Sequence, residues 1–384
     1  MSAILTLNAG SSSIKFGVYA TGPEPEQIAL GQVDALGREA TLKLKAGSDR
    51  SEGAIDAQDH ARGVTAILDA LRPVLGPREV AGVGHRIVHG GTEFAAPTRL
   101  TPPVIAALRE IAPLAPLHQP HNLAAIEAAV EAFPGAVQVG CFDTAFHRGQ
   151  PLRADRFALP RRYYEAGIRR YGFHGLSYHY IAGRLAEDWP ALHAGRVIVA
   201  HLGNGASMCA LSAGQSVEST MGFTALDGLP MGTRTGQIDP GVLLYLLDQG
   251  MTPAELTTLL YQESGLLGLS GISHDMRALL GSDALEAEEA LDYYVHRLQR
   301  EIGALTAALG GLDALVFTGG VGENAAPIRA RVLSGMAWLE LSIDAAANAA
   351  NGPRIDAGGV PVLVIPTDEE RVIARAVAAA LLGG

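Results

Sequence analysis

Asn8-Ala9-Gly10-Ser11-Ser12-Ser13-Ile14-Lys15 decides how this chain reads. On its N-terminal side residues 3–7, apolar but for Thr6, read as a short buried strand. On its C-terminal side Ile14-Lys15-Phe16-Gly17-Val18-Tyr19 alternates as a second strand. The stretch between them is therefore a hairpin tip. Gly10 lets a ligand approach the backbone, the serines and Asn8 supply neutral donors, and Lys15 supplies one point charge. That combination suits phosphoryl oxygens, although the same residues also make an ordinary polar hairpin.

The pattern recurs half a chain later. Residues 196–202 are an apolar strand, Gly203-Asn204-Gly205-Ala206-Ser207 is a turn, and residues 208–211 run back. Strand, Asn/Gly/Ser turn and strand occurring twice suggest a duplicated domain, against the alternative that such hairpins are simply common. With 384 residues the chain exceeds what one core usually supports. Residues 1–147 with 371–384 are expected to form one domain and residues 148–370 the other.

Between these hairpins the first half reads as further strands at 27–36 and 40–45, giving three or four antiparallel strands. A helix at 60–75 follows, closed by Pro77, and then a strand around 80–84. Residues 101–111 form a helix, 112–122 a rigid Pro-rich loop, 122–133 a helix, and 136–142 a strand ending at Asp143. The second half continues with helices at 240–249, 253–264 and 283–309, a strand at 312–318, a glycine loop at 319–324, and a helix at 327–336. A strand at 360–365 and a final helix from 371 complete it.

Composition narrows the function. Lys and Arg number 29 against 40 Asp and Glu, a net charge of -11, which argues against a general nucleic-acid or anionic-membrane surface. An anionic substrate needs a local cationic pocket. Cys141 and Cys209 are far apart in apolar settings, as reduced thiols of a cytoplasmic protein are, and zinc is not expected. No stretch of 18 apolar residues predicts a membrane span.

Candidate chemistry is carried by a few loops. A P-loop is excluded, because no Gly-x-x-x-x-Gly-Lys-Ser/Thr occurs. Gly320-Val321-Gly322-Glu323-Asn324-Ala325 matches a dinucleotide fingerprint between a strand and a helix, but it lacks the following parallel strand at the usual distance. It equally suits the adenosine of ATP. Arg86, at a strand end, and Arg234, in Met231-Gly232-Thr233-Arg234-Thr235-Gly236, are guanidinium groups on glycine-flanked loops, fit to bind carboxylate or phosphate. His118, His174 and His201 are expected in glycine- or proline-flanked loops. Asp143 and Glu369, both taken as ending apolar strands, offer hard oxygens for a nucleotide-borne cation together with Asn8, or serve as helix caps.

Assembled in order, these motifs resemble the acetokinase family of short-chain acyl kinases over nearly the whole chain. Residues 7–16 look like one family signature and 231–240 like the other. Gly84-His85-Arg86, Phe142-Asp143-Thr144-Ala145-Phe146-His147, Gly172-Phe173-His174-Gly175 and the 201–205 and 320–324 segments also match. The resemblance implies an α/β fold of duplicated ribonuclease-H-like domains, as in the actin, heat-shock chaperone and sugar kinase superfamily, with an interdomain cleft. It implies reversible phosphoryl transfer between ATP and acetate to give acetyl phosphate and ADP, with propionate as the alternative acid, and a homodimer.

By residue, the family pattern gives Asn8 and Glu369 a magnesium site, in which manganese can substitute, and gives Lys15 a phosphate role. His201, Leu202, Gly203, Asn204, Gly205, Asp275, Met276, Arg277, Gly320, Val321, Gly322, Glu323 and Asn324 would hold ATP. Arg86 would bind the carboxylate, His118 would belong to the same substrate site, and Val88, Leu117, Phe173 and Ala225 would meet the apolar end. Asp143 is the family's catalytic acid, and His174 and Arg234 would stabilise the transferring phosphoryl group. Ala225 stands where that pocket usually has proline, Gln119 where asparagine is usual, and Pro230 and Gln237 also depart from the common pattern. A carboxylic acid of pKa about 4 to 5 is already ionised at neutral pH, so Asp143 need not act as a base. Direct in-line transfer without a phospho-enzyme is the expected course. A non-catalytic ATP-binding protein of the same fold is the rival of another class.

Overall fold

The computed structural model describes residues 2–10, 13–37 and 39–383; Ser11 and Ser12 of the first turn lie outside them. The chain divides into two compact units, Met1–Phe146 with Asp368–Gly384, and His147–Thr367. The second boundary falls at Asp368 rather than after residue 370, because Asp368 caps the closing helix through the Arg371 N–H and belongs with it.

The first unit holds one sheet. Its strands are β1 (Ser2–Ala9), β2 (Ile14–Ala20), β3 (Gln27–Asp34), β4 (Thr41–Ala46), β5 (Asp49–Ala54), β6 (Glu79–Ile87), β7 (Thr98–Arg99) and β8 (Val137–Phe142). They lie in the order β5-β4-β3-β2-β1-β6-β8-β7. Neighbours from β1 to β5 are antiparallel, whereas β1, β6 and β8 run parallel. Five antiparallel strands open the chain rather than three or four. The extra one, β5, is exposed at every residue, so it carries no apolar alternation to betray it.

The second unit repeats the arrangement with β9 (Arg196–Leu202), β10 (Ala206–Ser212), β11 (Gln215–Ser219), β12 (Ala314–Thr318) and β13 (Val362–Val364), in the order β11-β10-β9-β12-β13. Again three strands are antiparallel, and β9, β12 and β13 are parallel. An antiparallel trio extended by two parallel strands, found once in each unit, is the duplicated ribonuclease-H-like fold.

Each sheet is covered for simple reasons. The helix His60–Leu75 places Val64, Ile67 and Leu71 on one face at helical spacing, in the core that holds Leu5, Leu7, Ile14 and Phe16. It ends at Gly76, whose φ of 55° suits a residue without Cβ, so the stop precedes Pro77. The closing helix Glu369–Leu382 packs Ile373 and Val377 over β6. A Cβ on Gly84 would come within 2.3 Å of Ile373 and one on Gly82 within 2.5 Å of Val377, so these glycines let the helix lie close. In consequence Glu369 begins a helix rather than ending a strand.

Other boundaries shift for equally local reasons. The helix expected from 122 begins at Gln119, with Pro120 in its first turn, and Ala112–Leu114 is a short 3-10 turn within the supposed loop. Gly319–Asn324, read as a loop, is a short helix. The helix Pro240–Asp248 has no buried residue although it is mostly apolar: Leu244 is 64% and Tyr245 62% exposed. Among the described residues, no helix is long and apolar enough to cross a membrane.

Candidate active site

In the first unit, adjacent parallel strands bring Arg86, near the end of β6, beside Asp143, just past β8. The pair is bidentate: Arg86 Nε donates to Asp143 Oδ2 at 3.0 Å and Nη2 to the same oxygen at 2.6 Å, while Nε also reaches Oδ1 at 3.2 Å. Arg86 Nη1 donates to Asn8 Oδ1 at 3.0 Å, and Asn8 Nδ2 donates to Glu369 Oε2 at 3.2 Å. Of the five guanidinium N–H groups, one on each terminal nitrogen remains for a ligand.

Electrostatics follow from burial. Arg86 is disfavoured as a cation by desolvation, yet Asp143 and then Glu369 more than offset this and raise its pKa. Burial pushes the Asp143 carboxyl up, Arg86 pulls against it and Glu369 adds to the rise, leaving it at about 6. Glu370 is also raised, first by burial and then by Glu369, with Lys15 opposing. Lys15 itself is exposed and pairs with Asn8 across the hairpin.

Among the described residues no three His, Cys, Asp or Glu side chains converge as a metal cage. Asn8 and Glu369 nevertheless offer two hard oxygen donors side by side, the Glu369 carboxylate, which accepts from Asn8 Nδ2, and the Asn8 side-chain oxygen, which accepts from Arg86. Such a sparse set fits a magnesium ion, which keeps water and phosphate oxygens as its other ligands.

Side chains to which the sequence reading gave no role, Gln119 noted there only as a departure from the family pattern, hold this centre in place. Asn122 receives the Val88 N–H at 3.0 Å and donates to the Ala9 carbonyl at 2.9 Å, tying the first turn to the strand end. His60 Nε2 donates to the Gly10 carbonyl, and Gln119 Nε2 to that of His89 at 3.1 Å. Single polar residues near helix starts give no sequence signal for such reach. Val88 is buried; Leu117 is half-buried, and His118 caps the helix that begins at Gln119.

In the second unit, His174 opens the helix Gly175–Asp188 in a left-handed conformation, φ 57°, unusual for a residue with Cβ. Phe173 beside it is buried. His201 lies within β9, not in a loop, and its ring stacks on that of His174 with centroids 4.4 Å apart. A Cβ on Gly205 would lie 3.3 Å from His174 Nε2 and 4.0 Å from Arg234 Nη1, so the bare turn brings the imidazole and the guanidinium to one place. The Arg234 loop is tightly folded: Met231 N–H bonds the Arg234 carbonyl at 3.0 Å, and Nη1 donates to the Ala225 carbonyl at 3.1 Å. Gly232 N–H in turn bonds the Asn204 carbonyl at 3.1 Å.

Beside this lies a cavity of about 650 Å³, lined by Gly203, Asn204, Asp275, Met276, Arg277, Gly320, Val321 and Asn324, with Leu266, His274, Leu280, Ala325 and Pro327. Three segments far apart in sequence thus converge on one space. Leu202 and Gly322 face the core instead, and Glu323 accepts the Gly319 N–H at 2.9 Å and the Thr367 N–H at 3.1 Å. Behind the wall, buried Arg329 donates to the carbonyls of Gly322, Glu323 and Asn348 and to the side-chain oxygens of Asn348 and Asn351. Asp275 caps its helix and pairs with Arg277, whose hydrogen bonds hold its carboxyl down at about 2.

Each unit thus carries a buried or loop-held guanidinium at the end of its sheet, and the second adds a cavity of about 650 Å³; the class of protein, a phosphotransferase, follows from its relatives. The sequence pattern of the acetokinase family matches residues 3–375. The chain is 52% identical to an acetate kinase of Methylocella silvestris, over 97% of this chain and 96% of that protein. It is 51% identical to one from Rhodopseudomonas palustris, with the same coverage. Among solved structures it resembles Porphyromonas gingivalis acetate kinase, 38% identical with a TM-score of 0.88, over 99% of this chain and 100% of that one. A propionate kinase from Francisella tularensis, 34% identical, gives a TM-score of 0.91 over 98% and 99%. The chain belongs to the acetokinase family, kinases that phosphorylate a carboxyl group.

Proposed function

We propose that the chain transfers the γ-phosphoryl group of ATP to acetate, forming acetyl phosphate and ADP, and runs the reverse reaction. The observation that carries this reading is the cavity whose wall joins Gly203-Asn204, Asp275-Met276-Arg277 and Gly320-Val321, next to His174 and Arg234. Bare backbone on two sides suits a flat base and ribose. Acetate is favoured over other acids by the named relatives that share about half of this chain's residues.

Roles follow from the chemistry of each group. The remaining N–H groups of Arg86 would take the substrate carboxylate; Val88, Leu117 and His118 of the first unit, and Phe173 and Ala225 of the second, are the positions that the family pattern gives to the acid. One carboxylate oxygen attacks the γ-phosphorus as the bond to the ADP oxygen breaks, and no proton has to move. Arg234 and His174 meet the charge that spreads over the equatorial oxygens. Asp143, with its oxygens committed to Arg86, serves as an orienting anion rather than a base. Asn8 and Glu369 would hold magnesium, which when bound neutralises phosphate charge, and Lys15 would meet the nucleotide phosphates. The exposed apolar helix Pro240–Asp248 supports a homodimer closed over that face. Buried, free Cys141 and Cys209 suit a cytoplasmic setting.

The test is magnesium- and ATP-dependent formation of acyl phosphate, trapped as the hydroxamate, with acetate, propionate and butyrate compared. Arg234→Ala should lower kcat by about 10²-fold or more. No hydroxamate from any of the three acids would reject the reading in favour of nucleotide binding without transfer.

A further inference from the structure

We infer that Tyr178 and Ser207 are positioning residues that hold His174 with its proton on Nε2, so that the imidazole presents a hydrogen-bond donor to the transferring phosphoryl group; this rests on the role given to His174 above. His174 Nδ1 lies 2.8 Å from Ser207 Oγ. That oxygen is also in a short contact with the Tyr178 hydroxyl. Both Ser207 and Tyr178 are fully buried, on β10 and on the helix that His174 opens.

The direction of this chain of hydroxyls settles the tautomer. A phenol is the stronger donor of the two hydroxyls, and burial holds the Tyr178 pKa well above its usual value, so its proton stays on oxygen. Tyr178 therefore donates to Ser207 Oγ, and the single Ser207 proton goes on to Nδ1. Nδ1 must then carry the lone pair and Nε2 the proton. Nε2 is the ring atom that faces Gly205 and the Arg234 guanidinium. The opposite polarity would turn a lone pair toward phosphoryl oxygens and repel them. The stacked His201 ring, bonded through Nδ1 to Ser177 Oγ at 2.8 Å, adds to the case, since two stacked imidazolium cations would repel each other.

The experiment uses the full chain with ring-¹⁵N histidine, together with steady-state kinetics of Ser207→Ala and Tyr178→Phe. The expected result is a His174 signal with protonated Nε2 and hydrogen-bonded, unprotonated Nδ1, the latter moving away from its hydrogen-bonded position in S207A. In both variants kcat should fall roughly fivefold, the fold-change of one neutral hydrogen bond, with KM for acetate and ATP within about twofold. Y178F removes only a hydroxyl, so it serves if S207A folds poorly. A proton on Nδ1 in the unaltered protein, or unchanged kcat in both variants, would overturn the inference. His174→Ala separates the two layers: a kcat equal to that of the unaltered protein would overturn the phosphoryl role on which the inference rests, whatever the tautomer.

Discussion

Replacing Gly205 by alanine places a single methyl group where His174 and Arg234 converge. The added Cβ would sit 3.3 Å from His174 Nε2, 3.6 Å from Cε1 and 4.0 Å from Arg234 Nη1. The first contact is tighter than ordinary packing, so the imidazole must yield by a few tenths of an ångström, and the methyl takes up space that the proposed reaction gives to a phosphoryl oxygen. A misplacement of about 1 Å can cost about 10²-fold in rate, so a smaller shift combined with partial blocking should lower kcat by roughly 10- to 100-fold. Folding should not suffer. Gly205 lies outside the left-handed region that favours glycine, and a compatible Gly→Ala change adds about 0.4–1 kcal/mol by restricting the unfolded chain. The assay is hydroxamate formation beside urea unfolding of the same preparation. A variant with the kcat of the unaltered protein and unchanged stability would refute the placement of the phosphoryl group above Gly205.

Ala225→Pro should restore ring volume near the apolar end of the acid and lower the propionate-to-acetate ratio of kcat/KM by about fivefold, roughly 1 kcal/mol for one methylene; an unchanged ratio would remove Ala225 from the specificity pocket. His85 is buried against Gln138, and burial lowers its pKa to about 4 from an ordinary 6.5. The unfolded chain therefore binds more protons between those values, so stability is present above about 6.5 and is lost as pH falls toward 4. His85→Gln should flatten that slope relative to the unaltered protein in denaturant melts across the window, and an identical slope would show that His85 is not buried neutral. If the proposed homodimer closes over the exposed helix Pro240–Asp248, Leu244→Glu with Tyr245→Glu should lower the mass found in sedimentation to that of a monomer, and a mass equal to that of the unaltered protein would reject this face as the interface.

What could be read in advance was whatever repeats with a period. The apolar runs of β1 and β9, the alternation of β2 and the spacing of Val64, Ile67 and Leu71 mark their elements directly. β5 was missed because both of its faces meet solvent. Gly319–Asn324 was misread because its glycines disfavour a helix, and what overrides that preference is two side-chain contacts that no periodicity shows: Glu323 accepts the Gly319 N–H of the first turn, and Arg329 takes the last carbonyls. The pairing of Arg86 with Asp143 depends on parallel strands 57 residues apart, and that of Asn8 with Glu369 on a separation of 361. No local pattern encodes either contact. Motif resemblance suggested roles for these residues, but not that Asp143 is already bound by a guanidinium. Tyr178 went unnoticed because a tyrosine in a helix looks like packing, and Ser207 was read only as the end of a turn, whereas it lies in β10.

Arg329 has a consequence for nucleotide affinity. Its side chain is fully buried, and among the described residues its partners are neutral oxygens and no carboxylate, two of the oxygens lying at the end of the short helix that forms one wall of the cavity. A guanidinium stays protonated at any physiological pH, so this clamp works whether or not a nucleotide is present. The glycine segment is thus ordered before the ligand arrives. Binding energy that would otherwise go into freezing a mobile loop stays available as affinity for the nucleotide proposed to bind there.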